Sequence, residues 1–89
     1  MADTWAWEYD PDPEFVIGGI ANLAFIAKVE ERADELVRAA AAPYLDGTKY
    51  TGASPRMQEE TVDASGMFVY QVIPRHQRVY VRQVSFLGL

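Results

Sequence analysis

The chain contains no cysteine, which excludes disulfide scaffolds, thiolate zinc sites and thiol nucleophiles. Histidine is nearly missing as well. His76 stands alone, too little for a histidine-built metal centre, and no metal site is expected. No apolar run approaches the roughly 18 residues of a membrane span. Met1-Ala2-Asp3 opens without the basic-then-apolar pattern of a signal segment. The expectation is a cytoplasmic protein with no membrane partner. Acids are absent from one whole stretch: none follows Asp63, where Arg75, His76, Arg78 and Arg82 are found.

What is present belongs to a folded globule. Of 89 residues 49% are hydrophobic and 12% aromatic, too rich in core-forming side chains for a disordered tail, and the length suits one domain over 1–89. The net charge of −5 argues against a generally basic nucleic-acid binder. That total is unevenly spread, with −6 over residues 1–42 and +1 over 43–89. Neither end is described by the mean.

Thr4-Trp5-Ala6-Trp7-Glu8-Tyr9 alternates with its three large aromatics on one side, which predicts a strand whose aromatic face is core. Asp10-Pro11-Asp12-Pro13-Glu14 predicts a helix start with either aspartate as cap, and a short helix to about Ile17 stopping at Gly18-Gly19. A longer helix is predicted from about Ala21 to Ala42. Its apolar stripe runs through Leu23, Ile26, Val29, Ala33, Leu36, Val37 and Ala40, its charges form a solvated face, and Pro43 ends it. Residues 45–60 read as a loop with a weak strand at Glu59–Val62, followed by the turn Asp63-Ala64-Ser65-Gly66. Met67–Ile73 and Arg78–Val84 are β-branched and aromatic, and Pro74-Arg75-His76-Gln77 between them makes a hairpin. The fold class is α+β: an N-terminal strand, two helices (short then long), and a C-terminal antiparallel strand run forming one sheet with the helices on one face.

Arg78, Tyr80 and Arg82 share one face of the last strand by the period-two rule. With Arg75 and His76 they make the candidate binding residues. Guanidinium pairs with phosphate and a tyrosine ring stacks on a base, so a nucleic-acid surface is one reading. An acidic protein segment is another, and a solvent-facing strand side with Tyr80 over the arginine stems is a third. His76 reads as a solvated turn residue, since no local group would orient it as a base. Lys49 and Arg56 stand in the loop and would extend the same patch. Asp10, Asp12 and Glu14 read as helix-cap residues rather than a cation site, and no phosphate-loop, nucleophile-elbow or cofactor pattern is present.

Ser65-Gly66, then Val69-Tyr70-Gln71-Val72-Ile73, a short turn, and Val79-Tyr80-Val81-Arg82-Gln83-Val84 resemble the C-terminal strand pair of the RelE/ParE toxin superfamily. The resemblance implies a divergent member, a RelE/ParE-like fold, and a bacterial toxin neutralised by a cognate antitoxin. RelE-like members cut mRNA on the ribosome without a metal, and ParE-like members poison DNA gyrase. A second copy of the chain is a further candidate partner. In the cleaving members, lysines precede the Ser-Gly turn and an arginine follows it. Here Gln58-Glu59-Glu60-Thr61 and Met67-Phe68 stand there, which leaves Arg82 and Arg56 as the basic candidates for a catalytic role. Acids in place of cations repel the phosphate such chemistry must hold. The alternative is a non-toxic protein-binding module of the same fold that lacks the ribonuclease residues.

Overall fold

The structure, a computed structural model, describes residues 4–42 and 57–88. The N-terminal alternation becomes strand β1 (Ala6–Tyr9), with Trp5 and Tyr9 buried and Trp7 half-buried. Asp12 rather than Asp10 caps helix α1 (Pro13–Ile17), accepting from the Phe15 N–H at 2.8 Å, with Pro13 in the first turn. Gly18 closes it, its N–H on the Glu14 carbonyl. Asn22 then starts the long helix α2 (Leu23–Ala41) by accepting from the Phe25 N–H at 3.0 Å. Pro43 and the loop residues Lys49 and Arg56 lie outside the described residues.

The buried line of α2 is Phe25, Val29, Ala33, Val37 and Ala41, which corrects the expected stripe. Leu23 is 77% exposed, whereas Leu36 and Ala40 only pack against the core's margin. A strict four-residue step overshoots one helical turn by about 40°. The buried line therefore winds around the helix as it crosses a twisted sheet. A straight stripe on a helical wheel places Leu23 inside and overlooks Phe25.

Three strands complete the chain: β2 (Met57–Asp63), β3 (Gly66–Ile73) and β4 (Arg78–Phe86). A 3-10 turn, Pro74–His76, joins the last two, and Gln77 closes it in the left-handed region at φ 53°. The sheet order is β1-β4-β3-β2, antiparallel throughout β2-β3-β4, with β1 added parallel to β4. β2 is longer than the weak strand expected at Glu59–Val62.

The buried apolar side chains of sheet and helices form one core. Val62, Phe68, Tyr70, Val79 and Val81 from the sheet meet Val16 and the α2 line, and Phe25 lies 4.8 Å from Phe86 between ring centroids. The α2 cations are not simply solvated, as a helix read in isolation implies. Lys28 pairs with Asp63 at 2.8 Å and Arg32 with Glu60 at 2.8 Å, tying the helix to β2. The Lys28 ammonium and then the Ser65 N–H hold the Asp63 carboxyl below its usual range.

The aromatic face of β1 is fastened to α2 by two acids one turn apart. Trp7 Nε1 donates to Asp34 at 2.8 Å, and the Tyr9 hydroxyl donates to Glu30 at 2.9 Å. Burial, and after it the Glu30 carboxylate, raise the Tyr9 hydroxyl above its ordinary pKa. Tyr70 is raised in the same sense, by burial and then by Glu60. A raised folded pKa gives stability that is fully present below the unfolded value of about 10 and is lost as pH climbs toward the folded value. Tyr9→Phe should accordingly flatten the alkaline fall in stability by up to about 1.4 kcal/mol per pH unit above pH ~10. Urea titrations at pH 9 and pH 11 measure it, and equal pH slopes for the two proteins refute it.

Candidate binding face

The sheet face turned away from the helices carries the residues singled out above. On β3 the core side takes Phe68 and Tyr70, so Met67, Val69 and Gln71 point the other way. On β4 the core takes Val79 and Val81, then Val84 and Phe86. That switch of parity comes from a bulge: Tyr70 pairs with Val81 but Val69 pairs with Gln83, so Arg82 is the extra residue. Arg78, Tyr80 and Arg82 thus share the open face, and the bulge lets Gln83 join them.

The segment Gln58-Glu59-Glu60-Thr61 is divided between the two faces. Gln58 lies within 3.4 Å of the inward-facing Tyr70 hydroxyl and Glu60 holds Arg32, which leaves Glu59 and Thr61 on the open side. Met67 is on the open face and Phe68 is in the core. The β3 part of the open face is therefore neutral and partly apolar, and the edge strand β2 adds one exposed carboxylate, Glu59.

The basic residues cluster at the β1 side, and their charge is answered within the fold. Arg78 Nε meets Glu8 at 3.1 Å, and its terminal nitrogen donates to the Thr4 carbonyl at 2.7 Å and the Gln77 carbonyl at 3.0 Å. Arg82 pairs with Asp10 and donates to Gln71 Oε1 at 2.7 Å. Its guanidinium carbon sits 5.2 Å from the Tyr80 ring centroid, a cation–π distance. The Tyr80 hydroxyl is 2.9 Å from His76 Nδ1, with the two rings edge to face at 5.9 Å. Arg75 is exposed on the turn and makes no ion pair among the described residues. The expected patch is thus brought together, but most of its charge is compensated.

Three members were not legible beforehand. Glu8 stands directly opposite Tyr80 through the parallel register of β1 on β4, and Gln71 opposes Tyr80 from β3. Asp10, read from sequence as a cap residue, follows the end of β1 and serves Arg82 instead. Only the pairing of β1 with β4 makes the two acids visible as partners.

His76 and Tyr80 orient one another, yet His76 is exposed and no described carboxylate meets its ring. General base catalysis on a phosphodiester also needs free donors around the developing charge. Here both strand arginines are engaged with carboxylates. Among the described residues no group of three or more His, Cys, Asp or Glu side chains could hold a metal ion, and no helix is long and apolar enough to cross a membrane.

No family profile matches the chain. No curated protein matches it either. Among solved structures, the chain is similar to an arginine-to-alanine double mutant of the E. coli toxin RelE in complex with an antitoxin RelBc peptide. The identity is 18%, the TM-score is 0.53, and the match covers 92% of this chain and 82% of that one. The fold is RelE-like.

Proposed function

We propose that this chain is the toxin-like component of a bacterial toxin–antitoxin pair, inhibiting translation or DNA gyrase in the cytoplasm and neutralised by a cognate antitoxin. The observation that carries the reading is the RelE-like fold over 92% of the chain, in a structure where RelE is bound to an antitoxin peptide. The chemistry of the described site residues favours binding as the mode of action. Metal-free RNA cleavage requires cations around the scissile phosphate, whereas among the described residues the open face offers Glu59 on its β2 edge and strand arginines already held by Glu8 and Asp10. That same compensation favours one second reading, a non-toxic protein-binding module of this fold.

Induction of the protein alone in a bacterial host should arrest growth, and co-expression of the small protein encoded beside it should restore growth. Pulse-labelled protein synthesis and plasmid supercoiling then separate a translational target from gyrase. Normal growth with soluble protein confirmed overturns the toxin reading. A stable complex with the neighbouring gene product, without effect on either readout, establishes the module.

A further inference from the structure

We propose that the cleft where β1 meets the C-terminal half of α2 is a binding site for a small zwitterion, an α-amino acid with an apolar side chain, which bridges Asp34 and Arg38. The inference goes beyond the toxin reading and holds whether or not the chain arrests growth.

The cleft has a volume of about 300 Å³ and is lined by Trp5, Ala6, Trp7, Asp34, Val37 and Arg38. That is the lower end of the range for small-molecule sites, so its occupant must be small. Trp5 and Val37 line it from the core, and the half-buried Trp7 adds indole surface. The Trp7 ring is fixed in place. Its Nε1 donates to Asp34 Oδ1 at 2.8 Å, and the ring stands edge to face with Tyr9 at 4.9 Å between centroids. An apolar surface set before the ligand arrives loses little freedom on binding.

The charges at the rim select the class of ligand. Asp34 and Arg38 are four residues apart and so are neighbours on one side of α2. Both are exposed, and no ion pair joins them. Asp34 gives one oxygen to Trp7, and the other has no partner among the described residues. Arg38 likewise meets no carboxylate there. One acid and one base therefore stand unmatched beside the same indole surface. A monoanion would suit Arg38 but be repelled by Asp34, and a monocation the reverse. A ligand carrying both charges close together satisfies both. In an α-amino acid the ammonium and carboxylate share one carbon, compact enough to fit between side chains one helical turn apart. Its side chain is then free to lie on the Trp7 ring. An internal peptide residue carries neither charge, which separates this ligand from a docked protein segment.

Both tryptophans of the chain line the cleft, so their fluorescence, excited beyond the phenylalanine band, reads binding to the full chain. L-phenylalanine should give a saturable change with a Kd of about 1 mM. Phenethylamine and hydrocinnamate, each lacking one of the two charges, should bind about fivefold more weakly. N-acetyl-phenylalaninamide, lacking both, should not saturate. D34N keeps an acceptor for Trp7 and removes only the charge, and R38Q removes the guanidinium. Each should weaken L-phenylalanine by about fivefold. D34N should not weaken hydrocinnamate, and R38Q should not weaken phenethylamine, because those ligands lack the charge that the substitution leaves unmatched. The ligand series on the native chain keeps the test decisive if a variant folds poorly. The proposal fails if L-phenylalanine gives no saturable change up to about 10 mM, or if any of the three analogues binds as well. It fails equally if either folded variant binds L-phenylalanine like the native chain.

Discussion

Replacing Phe68 with alanine should cost about 3–5 kcal/mol of folding stability. Its side chain is fully buried in the middle of β3, with Glu60 of β2 and Val84 of β4 as register partners and the Tyr70 ring centroid 5.9 Å away. Truncation removes the transfer energy of the ring and leaves a cavity that paired backbones on both sides prevent from closing. Domains of this size have only about 5–15 kcal/mol in total, so a large share of molecules would be unfolded at moderate temperature. Urea unfolding followed by tryptophan fluorescence should show a lower midpoint at an unchanged slope. The neighbouring Val69, half-buried on the open face, is the control, and Val69→Ala should cost less than about 1 kcal/mol. Equal losses at the two positions would contradict the assignment of faces.

Gly66→Ala is the second large effect, near 3 kcal/mol. Gly66 begins β3 opposite Phe86, and its N-terminal neighbour Ser65 accepts from the Leu87 N–H at 2.6 Å. A methyl group added there would run into the Ser85 carbonyl oxygen and stand 2.7 Å from the tip of the Phe25 ring. The ring belongs to the first buried position of α2 and packs on Phe86. The carbonyl belongs to the adjoining strand, so neither neighbour gives way cheaply. The β3–β4 ladder should loosen at its open end. Thermal unfolding would read the loss, and amide exchange at Leu87 would accelerate relative to Val79. A melting temperature within a degree of native would show that the contact is relieved without cost.

These two residues illustrate different degrees of legibility. Phe68 alternates with Val69 and Tyr70, so the strand was evident from composition and period, but either face could have been the buried one. The adjoining Ser65-Gly66 was recognisable as part of a family-like motif, with no reason visible for the glycine. That reason is the approach of Phe25 and Ser85, from elements distant in the chain. Helix α2 is similar: its existence followed from the apolar period, but its buried line was displaced because a helix crossing a twisted sheet presents a winding face.

The open face shows the same division. Arg78, Tyr80 and Arg82 were placed together by strand parity alone, even though a bulge at Arg82 shifts parity beyond it. Their acidic partners were not: the sequence allows either aspartate to cap α1, and in the fold Asp12 does so while Asp10 pairs with Arg82.

By itself, the sequence determined the order of elements, the core face of β1, the β3–β4 hairpin and the grouping of the strand arginines. Each of these depends on residues within a turn or two of one another, where period, capping and turn chemistry act directly. The tertiary structure alone decided that β1 joins β4 in parallel and that this brings Glu8 to Arg78 across 70 positions of sequence. Such pairs depend on strand order and register, which are set by how the whole core closes. The acid-free C-terminal stretch, basic when read along the chain, is in the folded protein a surface largely neutralised by acids from the N-terminal strand and the residue after it.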